Sequence, residues 1–268
     1  MLTNDSVYRS PRVIERYKQA ALAGLTVPEK YCLGQVPFSS RHSILDIGVG
    51  TGRTTGPLSK LFEQYIGIDY SENMIAAAKL SYPNADLRAM DARRLKFTEQ
   101  FDCVMFSFNG IDYVNYSERQ SIFHTITNVV RPEGYFIYST HNLQNKRVAS
   151  WLKYLLVKEL FQPWRSFLKP RTFRPIANRL INFWRQSGNQ SQPFAYVNDN
   201  GDEFALSTTY VDIPEEVKLL ERYGFAVVAT IGNTKQIGEY NEDDSWVYII
   251  CRKSRFLASN GSQLAHSE

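Results

Sequence analysis

The 268-residue chain is 43% hydrophobic and 22% charged, the balance of a soluble globular protein. No uncharged apolar run approaches the ~20 residues that span a bilayer, which excludes an integral membrane protein. Net charge is a modest +4, but residues 146–185 hold ten Lys or Arg against one acid, Glu159, so that segment alone carries +9 and the remainder −5.

Cys32, Cys103 and Cys251 are odd in number and lack CxxC spacing, so buried reduced thiols are expected rather than a disulfide framework, and no metal site. The start Met1-Leu2-Thr3-Asn4-Asp5 has no basic region followed by an apolar stretch, which predicts a cytoplasmic protein.

In chain order, residues 12–33 read as one or two helices. Ser43-Ile44-Leu45-Asp46-Ile47 reads as a short buried strand running into a glycine loop. A helix is predicted from Arg53 to Phe62, then a strand Tyr65–Asp69, a helix Glu72–Leu80 capped by Ser71, and strands Asp86–Met90 and Phe101–Phe108. Ser117 is placed to cap a helix to Val130, Arg131-Pro132-Glu133-Gly134 to break it, and Tyr135–Thr140 to form a strand. After an interruption at 143–206 come a helix Pro214–Tyr223 and strands Phe225–Ile231 and Trp246–Arg252, an antiparallel pair on the sheet edge.

Short strands alternating with helices define βαβ units. The expected fold is therefore α/β, Rossmann-like and doubly wound: a mostly parallel seven-stranded sheet with an antiparallel edge strand. The expected organisation is an N-terminal helical segment 1–36, a core at 37–142, a helical lid insertion at 143–206, the rest of the core at 207–255, and a disordered tail 256–268.

Asp46-Ile47-Gly48-Val49-Gly50-Thr51-Gly52 lies where the first strand meets its helix, the place where open α/β sheets bind ligands. Glycines there permit close backbone approach and positive φ. Asp69 ends the next strand and can accept from both hydroxyls of a ribose, which points to a nucleoside derivative. A dinucleotide GxGxxG starting at Gly48 would need glycine at 53 and meets Arg53, so a nicotinamide oxidoreductase is disfavoured.

An acid followed by GxGxG after strand one resembles the class I S-adenosylmethionine-dependent methyltransferases of the small-molecule type. So do Gly67-Ile68-Asp69-Tyr70-Ser71-Glu72-Asn73-Met74, Met90-Asp91-Ala92 and Arg131-Pro132-Glu133-Gly134-Tyr135. The resemblance implies S-adenosyl-L-methionine as cofactor. Gly48, Gly50 and Gly52 would lie against its methionine portion, Asp69 would hold the ribose and Asp91 the adenine amino group. Asp46 would position the loop and the ammonium, and Tyr70, Met74, Ala92 and Phe108 would pack around adenine and ribose.

A sulfonium activates its own methyl group, so alignment is the main requirement and a base is optional. His141, directly after strand five, is the best placed base. Its alternative role is structural hydrogen bonding at a strand end. Phe106-Ser107-Phe108-Asn109-Gly110 lacks the Asp/Asn-Pro-Pro-Tyr of enzymes acting on planar amino groups. Asn109, Asp112 and Tyr113 read instead as acceptor contacts, and Tyr210 joins them as the insertion returns to the site. Val148, Trp151, Leu152 and Leu155 share one helical face, which predicts a lid with Trp151 on the acceptor.

The predicted function is in-line methyl transfer to an oxygen or nitrogen of a small, partly apolar acceptor. The basic insertion adds a possible contact with an acidic membrane or carrier. The alternatives are an RNA methyltransferase or nucleic-acid binder using that insertion, and a noncatalytic interaction protein.

Overall fold

A computed structural model describes residues 4–145, 189–191, 193–198, 206–233 and 239–255. The predicted lid helices of 146–185, with Trp151, and the tail from 256 lie outside them.

Three helices lead the chain: α1 (Asn4–Tyr8), α2 (Pro11–Ala21) and α3 (Val27–Gly34). The last opens on a capping box in which Thr26 and Glu29 satisfy each other's backbone amides. Next come β1 (Ser43–Ile47), α4 (Thr55–Leu61), β2 (Gln64–Asp69), α5 (Glu72–Ser81), β3 (Asp86–Ala89) and β4 (Phe101–Phe106). Helix α6 (Tyr116–Val129) passes directly into β5 (Val130–Asn142). Strands β6 (Asn189–Ser191), β7 (Phe194–Asn198) and β8 (Ser207–Val211) follow, then α7 (Ile213–Arg222), β9 (Phe225–Gly232) and β10 (Trp246–Lys253).

The predicted seven strands form the sheet β3-β2-β1-β4-β5-β10-β9, parallel through β5 and antiparallel beyond it. Three further strands, β8-β7-β6, were not expected from the sequence. β8 pairs with β5 only at His141↔Tyr210 and Asn142↔Val211. At His141 the other edge of β5 already pairs with Trp246 of β10. A strand has two edges, so β8 occupies the side that β4 leaves vacant after Phe106, which pairs with Tyr138. The extra strands therefore wall the carboxyl end of the sheet, where the ligand site of such folds lies.

Three predicted boundaries move. The fourth strand stops at Phe106 because Phe108 and Asn109 both take φ of 56°. The helix after it is capped by Asn115, whose side chain accepts from Glu118 N and whose own amide donates back to Glu118, so Ser117 lies inside the helix. Arg131–Gly134 does not separate helix from strand. It is the irregular opening of β5, with Glu133 at φ 65° and a register shift against β4 between Phe101 and Cys103.

The core lies on both faces of the sheet. On one, Ile47, Val104, Phe136 and Ile249 pack with Phe123 and Ile126 of α6 and Leu220 of α7. On the other, Ile44, Met105, Ile137 and Ile250 pack with Cys32 and Leu33 of α3 and Leu58 of α4. All three cysteines are buried. Among the described residues no helix is long and apolar enough to cross a membrane, and no cluster of metal-ligating side chains occurs.

Candidate active site

The glycine loop leaves β1 with Gly48, Gly50 and Gly52 at φ of 71°, 54° and 97°, conformations that a Cβ opposes. At Gly48 the space is closed as well, because a Cβ there would stand 2.9 Å from the Phe106 ring. The same ring packs against Gly110, so one aromatic side chain ties the loop to the turn after β4.

Asp46 is fully buried beneath the loop. Its Oδ2 accepts from the hydroxyls of Thr54 at 2.6 Å and Tyr65 at 2.9 Å. Its Oδ1 is buried with no hydrogen-bond partner. Burial pushes the carboxyl up to about 7, against those hydrogen bonds and the nearby Arg53 charge. Asp69 accepts from Gly50 N and Ser71 N, each at 2.9 Å, and burial raises it to about 6.

Asp91 opens a short turn and accepts from the Arg93 amide at 2.9 Å and the Arg93 guanidinium. Burial alone would raise this carboxyl, but the Arg93 contacts win and hold it below the usual range. The adjacent Ala92 is buried, and its carbonyl accepts from Thr125 at 2.7 Å, fixing the turn to α6.

The N-terminal helices cover this region. Tyr17 of α2 lies 3.6 Å from where a Gly50 Cβ would stand. Met74 is buried with Val7, Tyr8 and Val13. Tyr8 meets Tyr17, Tyr70 and Tyr113 edge-on at centroid distances of 5.9, 6.1 and 5.7 Å. Asn4 bridges the carbonyls of Tyr113 and Ser207 at 2.7 and 2.9 Å, joining this cover to β8.

At the end of β4 the paired left-handed residues turn Phe108 outward and Asn109 inward. Phe108 lies under the Arg53 guanidinium at 4.8 Å and edge-on to Trp246 at 5.3 Å. Trp246 in turn meets the His141 ring at 5.9 Å, and Tyr210 meets it at 4.9 Å. Asn109 is buried. Its amide donates to Ser139 Oγ at 2.8 Å and its side chain reaches His141 Nε2 at 3.4 Å.

Asp112 sits differently from its predicted role as an acceptor contact. It has no exposed surface, and both its oxygens are occupied. Oδ2 accepts from His141 N and faces His141 Nδ1, each at 2.7 Å, while Oδ1 accepts from Thr140 Oγ at 2.7 Å and Arg119 Nη1 at 2.5 Å. Asp112 therefore orients His141. With the carboxylate ionised, Nδ1 carries the proton and Nε2 is left to accept one.

Four side chains that the sequence reading gave no role stand at or behind the candidate site. Trp246 stands opposite His141 in the β5–β10 register. Arg53, the residue that breaks the dinucleotide spacing, is paired through both terminal nitrogens with the fully buried Glu29, at 2.7 and 2.6 Å, and donates to Ser107 Oγ. Arg119 and Glu216 are buried behind Asp112.

A family profile described as a methyltransferase domain matches residues 44–134. A putative methyltransferase, 235L, of Invertebrate iridescent virus 6 is 28% identical over 172 residues, 63% of this chain and 55% of its own. A ubiquinone biosynthesis O-methyltransferase of Bradyrhizobium diazoefficiens is 30% identical over 177 residues, 62% of this chain and 66% of its own. The chain thus spans less than two thirds of the length of these curated relatives. Among solved structures, the CcbJ methyltransferase of Streptomyces caelestis shares the fold with a TM-score of 0.57 at 14% identity, over 85% of this chain and 88% of that one. Residues 44–134 thus match a methyltransferase domain, and the fold around them is that of solved S-adenosylmethionine-dependent methyltransferases.

Proposed function

We propose that the chain transfers the methyl group of S-adenosylmethionine to a hydroxyl oxygen of a small, partly apolar acceptor, with His141 taking the hydroxyl proton. The observation that carries this reading is the His141 Nδ1–Asp112 Oδ2 pair, 2.7 Å apart at the carboxyl end of β5. A hydroxyl must lose its proton as it is alkylated, whereas an amine can enter already neutral, so an oriented imidazole favours oxygen.

The residues present fit the cofactor. The unpartnered Asp46 Oδ1 suits an ammonium, Asp69 a ribose, and Asp91 an adenine amino group once its carboxylate is shared with Arg93. When bound, the sulfonium supplies the activated methyl. The chain aligns the acceptor and excludes water, contributions that proximity effects put at ~7–11 kcal/mol. Asn109 and Tyr210 beside His141, with Phe108 and Trp246, form the acceptor wall. Nε2 accepts the proton as the new C–O bond forms and the C–S bond breaks, and Asp112 compensates the resulting imidazolium.

The same reading places the chain in the cytoplasm, gives Tyr113 and Trp151 to the acceptor side, and leaves the basic segment 146–185 to docking on an acidic surface. The test is incubation of the protein with methyl-labelled S-adenosylmethionine and cell extract, beside His141→Gln. A labelled small molecule carrying an O-methyl group, lost in the variant, is expected. Label confined to RNA, or equal labelling by the variant, overturns the proposal.

A further inference from the structure

Behind the His141–Asp112 pair lies a closed chain of charges. Arg119 of α6, a residue with no exposed surface, donates through Nη1 to Asp112, through Nη2 to Thr140 Oγ at 3.0 Å, and through Nε to Glu216 Oε1 at 2.9 Å. Glu216 of α7 is equally buried. Its Oε1 also receives the Tyr138 hydroxyl at 3.0 Å, while Oε2 has no partner. Two carboxyl groups thus flank one guanidinium, all three buried, and with all three ionised the formal sum is one negative charge. Among the described residues the other groups that meet His141 are neutral: Asn109 from the turn after β4, Tyr210 from β8 and Trp246 from β10.

Isolated buried charge is costly, and evolution can remove such a group by an apolar residue of equal volume with little loss. A cluster one positive charge short, with an imidazole at its open end, is completed when that imidazole becomes an imidazolium. We infer that Arg119 and Glu216 are positioning residues that act through Asp112, keeping it ionised and holding an uncompensated negative charge that His141 neutralises on accepting a proton. The inference rests on His141 as the base of the proposed reaction. It reaches further, because it gives Glu216 the task of cancelling the charge of Arg119, so that the charge of Asp112 stays available to His141.

The test needs no acceptor. In the full chain with isotope-labelled histidine rings, NMR at pH 7 reads the imidazolium fraction of each of the four histidines, and His141→Gln identifies the signal of His141. Glu216→Gln makes the cluster neutral and should lower the His141 imidazolium fraction about threefold or more, little affected by salt because the charges are buried. The double variant Arg119→Met with Glu216→Leu removes one charge of each sign and leaves Asp112. It should keep the fraction within about twofold of wild type. A folded Glu216→Gln with an unchanged fraction reduces the pair to a structural role. Where Glu216→Gln does not fold, Arg119→Met, which leaves both carboxyl groups, should raise the fraction, and an unchanged or lowered fraction overturns the inference in the same way. Charge coupling seen by NMR beside full methylation by His141→Gln would instead sink the proposed function alone.

Discussion

Asp69 and Gly50 are joined directly: the carboxylate at the end of β2 accepts the loop amide through Oδ2 at 2.9 Å, while its Oδ1 takes Ser71 N at the start of α5. One side chain therefore shapes the loop, and the proposed reading gives the same side chain the ribose. Asp69→Ala should weaken binding of S-adenosylhomocysteine by roughly 1.5–3 kcal/mol, the worth of hydrogen bonds to a charged group. Titration calorimetry reads this, and unchanged affinity would remove Asp69 from the cofactor site.

Asp46 and Asp69 make the stability of the ligand-free chain depend on pH in an unusual direction. Burial raises both, to about 7 and about 6, above the ordinary aspartate value. From roughly pH 4 to 7 the folded chain thus holds protons that the unfolded chain has released, and stability falls as pH rises through that window. Asp46→Asn should flatten the loss, which a shift from 3.8 to about 7 puts at about 4 kcal/mol for Asp46 across that window. Thermal unfolding at pH 5 and 8 compares the two proteins. Equal pH dependence would show that Asp46 is not held protonated by burial.

His141→Gln should lower turnover about 10²-fold or more, the usual contribution of a positioned base, and leave cofactor affinity intact. Trp246→Ala, which removes the ring between Phe108 and His141, should chiefly raise the acceptor KM. Steady-state kinetics with the identified acceptor separates the two effects. Loss of cofactor affinity in either variant would place that residue on the wrong side of the site.

Asp112→Asn leaves Arg119 paired with Glu216 and sets an amide nitrogen against a donor that Asp112 now accepts from, the backbone amide of His141 or the Arg119 guanidinium. A buried donor left unsatisfied should cost about 1–3 kcal/mol in urea unfolding, besides lowering turnover. A surface-like cost of a few tenths would mean that the site is far more hydrated than the buried geometry implies.

Much of this was legible from the residue order. Asp46, the GxGxG loop and Asp69 sit at strand ends, and strand ends are fixed by apolar runs that the sequence displays openly. His141 was legible for the same reason, being the first polar side chain able to titrate after Tyr135–Thr140. Its partner was misread, because Asp112 lies in a turn that looks solvent-exposed until the buried Arg119 is known. The signal was present: Arg119 shares spacing with the buried Ile122, Phe123 and Ile126, and Glu216 with Ile213, Leu219 and Leu220, so each helix carries a charge on its apolar face. Strand β8 was beyond reach of pattern, since only two of its residues pair with β5 and its place depends on where β4 stops. The aromatic cover of α1 and α2 was likewise hidden. Tyr8, Tyr17 and Tyr113 are far apart in sequence, and their meeting depends on how the helices fold back.

The loop itself predicts a large steric effect. Gly48→Ala forces a Cβ onto a backbone at φ 71° and within 2.9 Å of the Phe106 ring, which should cost about 1–3 kcal/mol and impair cofactor binding. Urea unfolding checks the first consequence. A neutral substitution would show that the loop relaxes freely.

The central claim is that this glycine loop and its two buried aspartates hold S-adenosylmethionine for methyl transfer. Calorimetry of the purified chain with S-adenosylmethionine, S-adenosylhomocysteine and NADH tests it most directly. The account predicts saturable one-site binding of the first two, weakened in Asp69→Ala, and no binding of NADH. Binding of NADH with none of the sulfonium or its product would contradict it.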